Sequence, residues 1–348
     1  MENQNASKKV AYLEHQRSGC LWYRIQNPME LLEKNGIPTE KIKLDTDIDI
    51  SEFQSIQFYG AYPFSMENVL KYLKGKVKIV YDMDDALALI DETNAFYHSV
   101  KRDVGSVQQI LDYADEVTVS TPMFKEFLKG KTNAKITVVP NSYYPEQWTF
   151  KRPEREGIRI GFSGSSTHVP DLINIIPTIK KLQDKYNVKF LIMGFGQEDY
   201  RTWFKQYRYM ANETAVKDLE KLDLLLSEIV FEWIPFVDFM IYPATLTNLA
   251  LDIGICPLRD TPFNNHRSAC KALEYTLSGA LALASDTIPY QSEPTSVLVG
   301  DDEWEQALTF YIENPDIRKE KQQSCLTWIK ENRDINKQID LLKSIYVI

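Results

Sequence analysis

The feature that most constrains this chain is a sustained alternation of short apolar runs with longer segments of helical period. Runs at 10–14, 55–59, 77–82, 116–120 and 136–139 read as strands. The segments between them, at 27–36, 65–75, 104–113 and 122–130, carry helix signals: Asn27 as an N-cap before Pro28, and Gly36, Gly75 and Gly130 as stops. Strand, helix and strand in series form a parallel crossover, so the pattern predicts a parallel sheet covered by helices. It breaks at the polar stretch 151–156, Lys-Arg-Pro-Glu-Arg-Glu, and then restarts. The second series has strands at 158–162, 188–193, 229–231, 251–256 and 280–284, helices at 170–186, 238–248 and 267–278, and a polar-aromatic segment at 197–227. From 304 onward the chain reads as mostly helical. A chain of 348 residues is long enough for two separate cores. The expected class is therefore α/β, with two Rossmann-like domains at 1–152 and 153–325 facing a cleft. Residues 326–348 are expected to form a helix packing back toward the first domain.

Composition removes several alternatives. With 44% hydrophobic and 26% charged residues the chain is neither disordered nor fibrous. No apolar run approaches the roughly 20 residues that span a bilayer, and 1–9 is polar with no apolar signal core behind it, which predicts a soluble, cytoplasmic protein. Cys20, Cys256, Cys270 and Cys325, with His15, His98, His168 and His266, show no metal-type spacing. The net charge of −9 falls on both halves and counts against binding driven by phosphate neutralisation.

In open parallel sheets ligands bind beyond the carboxyl ends of strands, so residues just after each strand are the candidates. Residues 161–168, Gly-Phe-Ser-Gly-Ser-Ser-Thr-His, lie between a strand and a helix. Gly164 lets backbone approach a ligand, and the hydroxyls of Ser165, Ser166 and Thr167 with free helix-start amides suit an anion; a capped tight turn is the alternative. Arg267, Lys271 and Glu274, spaced by four and three, share one helical face. Two cations there suit a diphosphate and the carboxylate suits ribose hydroxyls, against the alternative of a solvated ion-pair face. Asp82, Asp84 and Asp85 suit a divalent metal or sugar hydroxyls, or cap the following loop. The loop carrying His15, Gly19 and Arg24 ends the first strand, with Arg24 placed for an anion. Residues 200–209 interleave aromatic and basic side chains, as in a base-stacking surface or an amphipathic helix packed on its own domain.

Asp82-Met-Asp-Asp85, the 161–168 turn, Asp252-Ile-Gly-Ile-Cys-Pro-Leu258, Pro262-Phe-Asn264 and the run from Lys271 to Asp286 together resemble the nucleotide-sugar glycosyltransferases of the GT-B fold, family 4 (group 1), including relatives from bacteriophage genomes. The resemblance is strongest over 158–290. It implies a donor site in the second domain, an acceptor site in the first, no obligatory cofactor or metal, and transfer with retention. Gly164, Ser165, Ser166, His168, His266, Ser268 and Glu274 are then donor-binding residues. Glu274 matches the second, ribose-gripping Glu of the family's paired-Glu motif, while His266 stands at its first position. Arg267, Lys271 and Asp85 are the implied catalytic residues, the two cations stabilising the leaving diphosphate. Gly19, Arg24, Asp82 and Asp84 are expected on the acceptor side. The implied donor is a nucleoside-diphosphate sugar, first a UDP-sugar, and the acceptor a carbohydrate, lipid-linked or small molecule. Hydroxymethylated pyrimidine in phage DNA, modified in the host cytoplasm, is an alternative. A non-catalytic nucleotide-sugar-binding module is a second. No strand leads into a G-x-G-x-x-G turn with a later acidic partner, which excludes a dinucleotide-dependent oxidoreductase.

Overall fold

In the computed structural model, which describes residues 8–13, 19–43 and 49–348, the strands form two six-stranded parallel sheets. The first contains β1 (Lys9–Leu13), β2 (Thr39–Ile42), β3 (Phe53–Tyr59), β4 (Lys78–Met83), β5 (Glu116–Val119) and β6 (Lys135–Val138), in the order β2-β1-β3-β4-β5-β6. The second contains β7 (Ile158–Ser163), β8 (Val188–Met193), β9 (Phe231–Ile234), β10 (Ile253–Cys256), β11 (Leu281–Ser285) and β12 (Val297–Val299), in the order β12-β11-β10-β7-β8-β9. Central strands such as β5 and β11 are buried along their whole length, as expected of a parallel sheet with helices on both faces. Strand order reverses between β1 and β3 in one sheet and between β7 and β10 in the other, which fixes where each sheet opens a crevice.

Beside the second crevice, Gly254 of β10 admits a helix unusually close to the sheet: a Cβ there would lie 2.2 Å from the Tyr275 ring. The helix Cys270–Leu277 therefore rests directly on the strands that bound the crevice.

Several element boundaries differ from expectation for identifiable reasons. β2, β9 and β12 lie at sheet edges; β2 (Thr-Glu-Lys-Ile) is mostly polar and β12 is only three residues long, and neither is foreseen, while β9 sits later than 229–231. The expected helix at 170–186 is two, Val169–Leu172 and Ile176–Lys185, because Pro177 has no N–H to continue the ladder. Asn27 is not an N-cap: its backbone is α-helical, following a π-helical turn at Trp22–Gln26. Helices at Tyr97–Tyr113 and Tyr242–Asn248 start earlier and later than their periodicity suggests. The 197–227 segment holds two helices, Tyr200–Met210 and Glu213–Leu226, capped by the side chains of Asp199 and Asn212.

The helix Pro315–Asn332 runs unbroken through residue 325 and packs on the second domain against Cys270–Leu277. The chain then crosses back at 333–335, where the Tyr143 N–H donates to the Arg333 carbonyl (2.9 Å) and the Ile335 N–H to the Tyr143 carbonyl (3.0 Å). The helix Ile339–Tyr346 buries Leu342, Ile345 and Tyr346 against Val10, Leu32 and Val80 of the first domain. No described helix is long and apolar enough to cross a membrane.

Candidate functional site

The turn after β7 passes beneath Lys271. A Cβ on Gly164 would meet the Lys271 Cε and the Phe162 ring at 2.9 Å, so glycine lets the lysine lie across this backbone without either side chain shifting. Ser165 is exposed, its hydroxyl 2.7 Å from that of Thr167, while Ser166 is buried and its carbonyl accepts the Tyr207 hydroxyl (3.1 Å). His168 is 3% exposed. Its Nδ1 lies 2.7 Å from Asp171 Oδ2, and its Nε2 is 2.7 Å from Lys271 Nζ and 3.2 Å from an Arg267 guanidinium nitrogen. Burial and the Lys271 charge pull the His168 pKa down to about 3 against the pull of Asp171, so the ring is neutral.

Arg267 does not share a helical face with Lys271 and Glu274. Asn264, which donates to the Arg259 carbonyl (2.9 Å), sits in a 3₁₀ turn, Asn264–His266; Arg267 follows in extended backbone (φ −77°, ψ 167°), and the helix begins only at Cys270. The two cations meet all the same, through His168. Burial and Arg267 lower the pKa of Lys271; burial also works most strongly against the Arg267 charge, but Asp85, Cys20, Asp171 and Tyr290 together outweigh it and the net shift there is upward. One helical turn after Lys271, the Glu274 oxygens accept separate hydroxyls, from Tyr23 (2.8 Å) and Tyr242 (2.9 Å). Burial raises the Glu274 pKa, opposed by those two hydrogen bonds and by Lys271.

Tyr23 belongs to the first domain, and other groups there also face this site. Asp85 pairs with Arg267 (3.2 Å), Asn141 Nδ2 donates to the Ser268 hydroxyl (2.8 Å), and Thr121 Oγ1 donates to the His266 carbonyl (3.1 Å). The His266 ring lies against Phe127, with centroids 4.9 Å apart, and its Nδ1 contacts the Pro262 carbonyl, so it serves the domain contact. Gly19 lies beside the Phe239 ring. His15 lies outside the described residues.

Arg24 and Asp82 are committed to each other. They form a two-pronged ion pair (2.9 and 2.7 Å) with exposures of 1% and 2%, completed by Thr118 on Asp82 and by Asn141 and the Val139 carbonyl on Arg24. A guanidinium committed in this way is not open to an external anion. The acidic run is thus divided: Asp82 to Arg24, Asp84 to Tyr59 (2.9 Å), Asp85 to Arg267. Among the described residues no group of three or more His, Cys, Asp or Glu is placed to hold a metal ion. The Tyr200–Met210 helix turns Trp203 and Tyr207 into the core beside Phe195 and Trp233, which leaves those rings unavailable for stacking on bases.

Tyr23, Tyr242, Asp171 and Arg259 were not singled out from sequence. Asp171 follows His168 at helical spacing, and Arg259 lies just after β10, so both carried a positional signal. Tyr23 closes the candidate loop 15–23 after the first strand and so carried the same kind of signal, whereas Tyr242 carried none.

No protein-family model matches the sequence, and no curated protein matches it. Solved structures do resemble the fold. Anabaena Alr3699/HepE in complex with UDP-glucose is similar over 97% of this chain and 99% of its own, at 14% identity and a TM-score of 0.63. A glycosyltransferase from Rickettsia africae is similar over 97% and 98%, at 12% identity and a TM-score of 0.63. An α-glucosyltransferase in complex with UDP and a 13-mer DNA containing an HMU base is similar over 97% and 100%, at 9% identity and a TM-score of 0.66. These likenesses establish the fold as the expected GT-B arrangement of two Rossmann-like domains.

Proposed function

We propose that the protein is a glycosyltransferase moving a sugar from a nucleoside-diphosphate sugar, first a UDP-sugar, to an acceptor hydroxyl. The observation that carries this reading is the convergence of Lys271, Arg267 and the Gly164 turn at the second crevice, with the Glu274 carboxylate one helical turn away. Two cations and close backbone suit a diphosphate, and the carboxylate suits ribose hydroxyls. The UDP and UDP-glucose bound to structural neighbours agree with that chemistry. Each Glu274 oxygen accepts one tyrosine hydroxyl and keeps a lone pair for a ribose hydroxyl.

In the proposed reaction the bond from the anomeric carbon to the diphosphate breaks while an acceptor hydroxyl bonds that carbon from the same face, giving retention. The acceptor's proton passes to the departing diphosphate. Lys271 and Arg267 meet the developing negative charge, the role a metal ion fills in other transferases, and Asp85 holds Arg267 in place. A nucleotide-sugar panel scored by released nucleoside diphosphate, with and without a chelator, tests this. Release from a UDP-sugar, unaffected by chelator and at least about 100-fold slower in Lys271→Ala of unchanged melting temperature, is the expected result. Release from no donor overturns the reading.

The DNA-bound neighbour favours a second reading, transfer to a hydroxymethylated pyrimidine in DNA. The charge of −9 and the buried rings of Trp203 and Tyr207 weigh against it. Salt-dependent binding to hydroxymethylated duplex would favour it.

A further inference from the structure

Behind the two cations lies a buried series of side chains whose polarity is set from one end to the other. Asp171 Oδ1 takes both the Arg259 backbone N–H (3.1 Å) and the Arg259 Nε (3.3 Å), while Oδ2 faces His168 Nδ1 (2.7 Å). Arg259 itself reaches across to the Thr93 hydroxyl of the first domain (2.7 Å). With Asp171 4% exposed and acceptor-only, the imidazole proton belongs on Nδ1, leaving the Nε2 lone pair to face Lys271 Nζ and an Arg267 guanidinium N–H.

We infer that His168 is a positioning residue and not a donor ligand: the neutral ring, its tautomer set by Asp171, accepts from Lys271 and Arg267 and aims their remaining N–H groups at the diphosphate. This rests on the donor-site reading above. Lysine has three N–H donors and arginine five, so sharing one acceptor leaves both able to bind phosphate oxygens. A carboxylate in place of His168 would neutralise a cation before the diphosphate arrived, and a charged imidazolium would repel both. With the Asp85 carboxylate already on Arg267, an uncharged acceptor orders the two cations without weakening their combined field further. The depressed pKa of His168 accords with this role.

Asp171→Asn is the informative change. The two Arg259 donors keep the amide oxygen, so the amide NH₂ faces His168 Nδ1 and drives the ring proton to Nε2, where it opposes Lys271. His168→Gln returns an acceptor oxygen near the Nε2 position; His168→Phe keeps a ring without the lone pair. The experiment measures binding of UDP, and of uridine as the phosphate-free control, by calorimetry on the full chain, with melting temperatures alongside. UDP affinity should fall about 10- to 100-fold in His168→Phe and Asp171→Asn, and stay within about threefold in His168→Gln, with uridine affinity unmoved in all three. A residue that merely fills the core would give the reverse order, Phe tolerated and Gln damaging. That order, or unaltered UDP affinity in Asp171→Asn, overturns the inference. Should Asp171→Asn unfold, the order of the two His168 variants decides. Failure of the unaltered chain to bind UDP, ADP or GDP overturns the donor-site reading and this inference together, whereas UDP binding in the reversed order overturns the inference alone.

Discussion

Asp84 shows how one carboxylate is held at a cost. Burial and the neighbouring Asp85 push its pKa up to about 6, although Cys20 and Arg24 pull the other way. Between about pH 4 and 6 the folded chain therefore keeps a proton that the unfolded chain has lost, so stability declines as pH rises through that window. Asp84→Asn keeps an acceptor for the Tyr59 hydroxyl and should stabilise the protein by about 1–2 kcal/mol near pH 7.5, discounted for residual solvent contact, with the gain vanishing by about pH 4. Thermal melts across that range check the sign: a gain that grows on acidification contradicts it. At this scale local spacing told placement: Lys271 and Glu274 lie one turn apart on one helix, with Gly164 beneath the lysine. It misled at Arg24 and Asp82, a cation and a carboxylate near strand ends that find each other across 58 positions. Local pattern records that each is charged and nothing of which charge it meets.

The helix Tyr200–Met210 separates packing from recognition within a single element. Trp203 is 5% exposed among Phe195, Tyr207 and Trp233, whereas Tyr209 is 93% exposed. Trp203→Ala should cost about 3–5 kcal/mol, against under about 0.5 kcal/mol for Tyr209→Ala, as measured by denaturant unfolding. Comparable losses in both would mean the helix does not pack by this face. Interior elements were legible because apolar runs and glycine or proline stops mark them. The edge strands β2 and β12 were not, the first because Thr-Glu-Lys-Ile is mostly polar and the second because it is only three residues long, while β9 begins two residues later than expected. The start of the helix at Cys270 was also hidden, since the extended backbone at Arg267 that delays it leaves no mark on the periodicity.

At the scale of the whole molecule, alternation foretold two parallel sheets but not their strand orders. Order depends on pairings between distant segments, and it is the order that locates the crevices. The helix Ile339–Tyr346 completes the first domain's core, with Ser55 donating to the Tyr346 carbonyl (2.8 Å) and Ile345 wholly buried. Ile345→Ala should therefore destabilise the first domain by about 2–5 kcal/mol. Limited proteolysis should then cut within 49–143 before 158–332; the opposite order would contradict this placement. The two crossings, at 151–157 and at 333–335, also have a mechanical consequence. A body on one tether swings and twists freely, whereas a second tether favours rotation about the line joining the two. Separation of the sheets about that line would part Glu274 from Tyr23 and Arg267 from Asp85 together, linking release of the carboxylate to exposure of the cations.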